Sequence, residues 1–174
     1  ANLQAAYGLD QPVLVQYGRY LQGLAHGDLG PSFKYKDYRV SELIARGLPV
    51  TLTIGSLALV LALALGVPLG MAAALRHDTA LDHAVMTVAL AGIAMPGFVL
   101  APVLALFFGV KLGLLPVAGW EPSSIRHLIL PVITLALPFV AYVARLTRGS
   151  LLEVLQAPYL RAARAKGLAR RALL

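Results

Sequence analysis

Three long runs of the chain contain no charged residue, and they determine the architecture that we expect. They are residues 49–75, 84–110 and 128–144, with lengths of 27, 27 and 17 residues. A helix that crosses a bilayer needs about 20 predominantly apolar residues, with a range of roughly 17–25. Three such runs in a chain of 174 residues predict three transmembrane helices rather than the buried core of a soluble domain.

The first run carries a small residue at every fourth position. Residues four apart share one face of a helix, and small side chains on one face let another helix approach closely. We therefore expect this stripe to pack against a second span. The stripe consists of Ala58, Ala62, Gly66, Gly70 and Ala74. Proline occurs in all three runs and bends helices, although proline is also common in membrane helices.

The first 48 residues mix polar and apolar positions and predict a small subdomain outside the membrane. Apolar residues at helical spacing are Val13, Tyr17, Tyr20, Leu21 and Leu24. The stretch HGDLGPSFKYKD that follows is rich in turn formers. After it, VSELIARGLP predicts a short helix with Ser41 as its N-cap.

Composition supports a membrane protein. Hydrophobic residues make up 59% of the chain and charged residues 13%, whereas soluble domains carry about 25% charged residues. The mean hydropathy is +0.75. The chain contains no cysteine, which excludes disulfides and thiolate metal sites within it.

The net charge of +7 is concentrated behind the third run, where residues 145–174 carry seven Lys and Arg against Glu153. Because cytoplasmic loops carry an excess of positive residues, we expect this tail to be cytoplasmic. Residues 76–83 then form a cytoplasmic loop, while residues 111–127 and 1–48 lie outside. An external first segment requires a preceding span, so we expect a longer protein that continues at both ends.

Catalytic motifs are absent from the sequence. There is no phosphate-binding P-loop, no G-x-S-x-G and no H-E-x-x-H, so we expect no enzyme activity, no cofactor, no metal and no nucleic-acid partner. The segment RHDTALDH, Arg76 to His83, holds two His and two Asp, and we interpret it as a solvated loop rather than a metal site. Ion-coupled carriers commonly place ionisable residues within the membrane. The three runs have none, so a transporter built from these spans would receive its energy from outside them.

A short basic helix is predicted near the end, in the stretch APYLRAARAKGL. Pro158 suits the first helical turn and Gly167 suits the position just past the end, which places the helix at about Pro158 to Lys166. One side of it is formed by Tyr159, Ala162, Ala163 and Lys166. Such a helix can dock on a protein through its alanine face or lie on anionic lipid, and the residues alone favour neither.

The sequence RAARAKG, Arg161 to Gly167, resembles the E-A-A-x-x-x-G loop of ABC transporter permeases. Arg161 stands where that motif has glutamate. The resemblance extends from about Tyr7 to Leu174 and is to the oligopeptide/dipeptide/nickel-type permeases. Further segments that carry it are GLDQP, GDLGPS, LPVTLTIG, LGLLPVAGW, HLILPVITLALP and ARLTRGSLLEVL.

This resemblance implies an all-α polytopic membrane protein, truncated at both ends, with three transmembrane helices of a fold of about six. It also implies a small external N-terminal subdomain and a cytoplasmic coupling helix. The expected location is the bacterial cytoplasmic (inner) membrane. The expected partners are a second permease subunit, identical or homologous, two ATPase subunits on the cytoplasmic side, an external substrate-binding protein and the lipid bilayer.

The resemblance also implies roles within the coupling helix. Ala162 and Ala163 would form the contact face for an ATPase subunit, and Gly167 would end the helix. The basic residues would orient the helix or face lipid. The expected ATPase-coupling residues are Tyr159, Arg161, Ala162, Ala163, Arg164, Lys166 and Gly167.

Two other functions remain open at this point. One is an ATPase-independent carrier or channel, and the other is a non-transporting membrane anchor with a lipid-binding basic tail. The resemblance favours the permease subunit of an ATP-driven, binding-protein-dependent importer, with ATP hydrolysis on a separate subunit. It leaves the substrate open among peptides, nickel, glutathione and sugars, and it assigns no residues to the substrate path.

Overall fold

The computed structural model describes residues 11–32, 34–35, 38–121 and 124–167. These residues form helices, and the part of the chain so described contains no β-strand, only an isolated bridge between Pro31 and Arg39. The predicted all-α class is therefore confirmed. The helices are α1 (Val13–Ala25), α2 (Val40–Leu75), α3 (Ala80–Ala94), α4 (Gly97–Leu104), α5 (Ile125–Gln156) and α6 (Pro158–Ala165), with a π-helical segment at Ala105–Lys111.

The chain divides into two compact units, residues 1–53 and 54–174, with the boundary inside α2. In the first unit, α1 has no buried residue. The turn that follows is held by Asp28, whose carboxylate accepts hydrogen bonds from the Gly30 N–H at 3.0 Å and from Arg39 Nη1 at 2.6 Å. Gly30 has a φ of 80°, a conformation that glycine adopts without steric cost. The predicted turn-rich segment is present over residues 26–32 and 34–35, and its residues 33, 36 and 37 lie outside the described residues.

Helix α2 differs from the expectation because it is one helix of 36 residues. It joins the predicted short helix to the first predicted span, and Pro49 lies inside it. A proline removes a single helical hydrogen bond, and the helix nevertheless continues on both sides of Pro49. Ser41 is not the N-cap, since the helix begins at Val40. Instead, Glu42 Oε2 accepts the Arg39 N–H at 3.4 Å, which is the glutamate contact of a capping box.

The second predicted span is broken. Helix α3 ends at Ala94, α4 begins at Gly97, and the two are bent by 100°. Met95 and Pro96 have extended backbones, because the residue before a proline is disfavoured in the helical region. Among the described residues, α2 and α5 are long and apolar enough to cross a membrane, and the bent pair makes a third span if it counts as one.

Helix α5 extends well beyond the third uncharged run, because it continues from Ile125 to Gln156 as one helix. Ala157 then adopts an extended backbone with φ −62° and ψ 141°, and Pro158 starts α6. This last helix ends at Ala165, one residue before the predicted end. Gly167 follows with a φ of 85°, as expected for a glycine just past a helix end.

Candidate functional site

The two glycines of the small-residue stripe of α2 lie against α5. A Cβ added at Gly66 would lie 2.8 Å from the Cβ of Val143. One added at Gly70 would overlap the carbonyl group of Ala144 and would lie 2.8 Å from the Cβ of Thr147. The two backbones therefore touch where α2 has no side chain. All five residues of the stripe are buried, namely Ala58, Ala62, Gly66, Gly70 and Ala74.

A buried ion pair lies at the same end of these helices. Asp82, in the first turn of α3, is 0% exposed. Arg148 of α5 donates from Nε to Asp82 Oδ1 at 2.5 Å and from Nη2 to Oδ2 at 2.7 Å. This two-pronged geometry is the strongest hydrogen-bonded arrangement of an arginine with a carboxylate. It joins α3 to α5 across 66 residues of sequence.

The turn between α2 and α3 is shaped around the same carboxylate. Asp78 has a φ of 62°, an uncommon conformation for a residue with a side chain. Its backbone N–H donates to Asp82 Oδ2 at 3.1 Å. His77 Nδ1 lies 3.1 Å from the same oxygen and 3.2 Å from Arg148 Nη2, so its tautomer decides which of the two it bonds. We call Asp82, Arg148, His77 and the Asp78 N–H the Asp82 cluster.

The expectation of a solvated loop over Arg76 to His83 is wrong for Asp82. Its side chain is fully buried because Arg148, from a distant part of the chain, neutralises it. Across the described ranges, no group of three or more His, Asp or Glu is arranged to hold a metal ion. The only sequence signal for the pair was an acid just before one apolar run and an arginine just behind another.

Helix α6 turns one side towards its own chain and leaves another side open. Leu160 is 7% exposed, whereas Tyr159 is 62% exposed. Ala163, one turn beyond Leu160, is half-buried, and Lys166 and Gly167 are exposed. The side chains of Arg161, Ala162 and Arg164, which were also predicted to contribute to coupling, lie outside the described residues. An Ala163→Asp change would disturb the packing of α6 on its own chain, so Tyr159 is the cleaner probe of an outside contact.

A cavity of about 520 Å³ lies at the opposite end of α5, between α4 and the segment before α5. His127 lines it from the first turn of α5, with Nδ1 3.8 Å from Glu121 Oε2. Pro131, Thr134 and Pro138 line it from the same face of α5. Pro131 and Pro138 have no backbone N–H to donate to the helical carbonyl groups one turn earlier, those of His127 and Thr134, and both of these residues also line the cavity.

Comparison with known families identifies the chain. Residues 66–174 match the family described as "Binding-protein-dependent transport system inner membrane component", which is more than half of the chain. The chain belongs to this family. The matched region contains the Asp82 cluster, α5 and α6, and the family resemblance predicted from the sequence is confirmed. The family is one of inner-membrane proteins, in agreement with the apolar helices α2 and α5.

Curated relatives are similar over almost the whole chain. The "Oligopeptide transport system permease protein OppB" of Escherichia coli (strain K12) is 47% identical over 174 residues, which are 100% of this chain and 57% of that protein. OppB of Haemophilus influenzae is 46% identical over 168 residues, 97% of this chain and 55% of the relative. The "Dipeptide transport system permease protein DppB" of Bacillus subtilis is 44% identical over 167 residues, which are 96% of this chain and 54% of that relative. The chain thus spans a little over half the length of these relatives.

Proposed function

We propose that the chain is part of the membrane-spanning permease subunit of an ATP-driven, binding-protein-dependent importer of peptides. Its relatives are named as oligopeptide and dipeptide transport permeases, which supports peptides as the transported solute. The family description supports delivery by a separate binding protein. A second permease subunit completes the path through the membrane.

The proposed orientation places the Asp82 cluster and α6 in or near the cytoplasm. The seven Lys and Arg of residues 145–174 support this orientation. Two ATPase subunits bind on that side and hydrolyse ATP, since this sequence contains no P-loop of its own. The binding protein delivers the solute on the opposite, external side of the membrane.

The observation that carries the proposal is the form of α6. An extended Ala157 and a proline set it off from α5 as a separate short helix. It is anchored to its own chain through Leu160, yet Tyr159 is 62% exposed. An anchored helix with an open side is suited to receive a partner and to pass its displacement on to α5.

Cysteine crosslinking in the full-length permease, co-expressed with its ATPase subunits, tests this docking. The sequence described here has no cysteine, and any cysteine elsewhere in the full-length protein is first replaced, so that single cysteines report on single positions. Tyr159→Cys and Lys166→Cys are expected to crosslink to an ATPase subunit. The matched control is Tyr142→Cys, because Tyr142 is also exposed, at 52%, but lies on α5 within the third uncharged run.

The rival functions give different results. If neither Tyr159→Cys nor Lys166→Cys reaches an ATPase subunit in the assembled complex, α6 is not the docking helix, and a lipid-binding tail becomes the better explanation. Uptake by the permease in vesicles without ATPase subunits or ATP would instead support an independent carrier.

A further inference from the structure

Unbroken helix runs from Arg148 almost to the start of α6. Helix α5 continues from Arg148 to Gln156, which at about 1.5 Å per residue is roughly 12 Å of helix. Only Ala157 separates its end from α6, and α6 packs back on its own chain through Leu160. A displacement of α6 therefore moves the end of α5 that carries Arg148.

Arg148 is also where α5 joins the two preceding helices. Thr147, its neighbour, lies against Gly70 of α2. Arg148 itself holds Asp82 of α3 by two hydrogen bonds. The α2–α3 turn adds the Asp78 N–H to the same carboxylate at 3.1 Å. The turn after α2, helix α3 and helix α5 thus meet at one buried carboxylate, next to the contact between α2 and α5.

The ion pair between Asp82 and Arg148 is costly to separate. A carboxylate with no exposed surface has no water to replace a lost arginine, and separating a buried ion pair leaves an uncompensated charge. Packing of small residues alone, as between Gly70 and Thr147, permits helices to slide past each other. The ion pair supplies a fixed point, since both oxygens of Asp82 are bound.

We propose that Arg148 and Asp82 are the positioning pair through which movement of α6 is transmitted from α5 to α2 and α3. The proposal rests on the function proposed above. ATPase docking itself occurs on α6 and does not involve the pair. Loosening the pair therefore separates ATP hydrolysis from transport while the ATPase subunits remain bound.

The test uses the complete transporter, reconstituted in vesicles with its ATPase subunits and binding protein. Three quantities are measured, namely ATPase co-purification, ATP hydrolysis and uptake of a labelled peptide. The main variant is Arg148→Lys, which keeps the charge but replaces the two-pronged contact by a point charge. The matched control is Arg145→Lys, because Arg145 lies on the same helix but is exposed and stacks on Tyr142 at 5.9 Å. Asp82→Asn is the second variant and removes the partner charge.

For Arg148→Lys and Asp82→Asn we expect normal co-purification and retained ATP hydrolysis. The number of peptides taken up per ATP hydrolysed should fall by roughly tenfold, a change of the size usual for coupling between two sites. Arg145→Lys is expected to keep the native ratio. A proportional fall of uptake and hydrolysis with the amount of assembled complex would overturn the proposal and make the pair purely structural. An unchanged ratio in Arg148→Lys would also overturn it. If the native protein binds no ATPase subunit, the proposed function itself is wrong. That result differs from the proportional fall and from the unchanged ratio, which contradict only the role of the pair.

Discussion

Gly70→Ala offers a direct test of the close contact between α2 and α5. The new methyl group would meet the Ala144 carbonyl group and the Cβ of Thr147, which lies 2.8 Å away where ordinary contact begins at 3.4 Å. The carbonyl group of Ala144 belongs to the backbone and cannot move away by changing rotamer, so the two helices must separate. Overpacking of this kind costs about 1–3 kcal/mol.

Gly55→Ala is the matched control, because Gly55 lies on the same helix and an added Cβ there has nothing within 4 Å. Both variants gain the same helix propensity, about 1 kcal/mol at most, so their difference isolates the steric clash. The assay is thermal unfolding of the full-length protein in detergent. At about 2–4 °C per kcal/mol, Gly70→Ala should melt several degrees below Gly55→Ala. Equal melting temperatures would refute the proposed backbone contact.

Three further predictions concern charges and the end of α6. Asp82→Ala leaves the Arg148 side chain, which is 24% exposed, without its buried partner and should cost about 1–3 kcal/mol in unfolding free energy. Asp78→Asn changes a side chain that is 80% exposed and keeps a residue type that tolerates a positive φ, so it should cost far less. Denaturant titration of the two proteins compares them. Arg39→Ala breaks a pair of 2.6 Å whose side chains are 61% and 38% exposed, so the same titration should show a loss of at most about 1 kcal/mol. Gly167→Ala forces a side chain into a φ of 85°, which costs about 1–2 kcal/mol, and should therefore speed hydrogen exchange at the end of α6. Gly167→Asn should speed it less, because asparagine tolerates this conformation better. Equal exchange rates in the two variants would contradict a left-handed helix end.

The positions and lengths of the uncharged runs predicted much of the fold, because long apolar runs in this chain form helices wherever no turn signal interrupts them. The run that contains Met95 and Pro96 shows where the prediction was incomplete. The proline was evident in the sequence, but whether it bends a helix or breaks it by 100° depends on packing against α5. Pro49 shows the opposite outcome, since it lies in a continuous helix. Local sequence alone does not separate these two cases.

The candidate site was predicted in part. The small-residue stripe followed from helical spacing, because every fourth residue shares a face. The pairing of Asp82 with Arg148 did not, because the two lie 66 residues apart and only the folded helices bring them together. Similarly, spacing put Ala163 on the same side as Tyr159, but Ala163 is half-buried whereas Tyr159 is exposed, so α6 turns part of this side inwards.

Co-purification of the ATPase subunits with full-length permease tests the central claim, that α6 is the docking helix, most directly. The native protein and two variants are purified in detergent and the ATPase subunits per permease are counted. Tyr159→Asp places a charge on the open side of α6, and Glu153→Ala changes an exposed residue near the end of α5 as the control. The account predicts ATPase subunits with the native and Glu153→Ala proteins and their loss with Tyr159→Asp. Full retention with Tyr159→Asp, or no ATPase subunit in any sample, would contradict it.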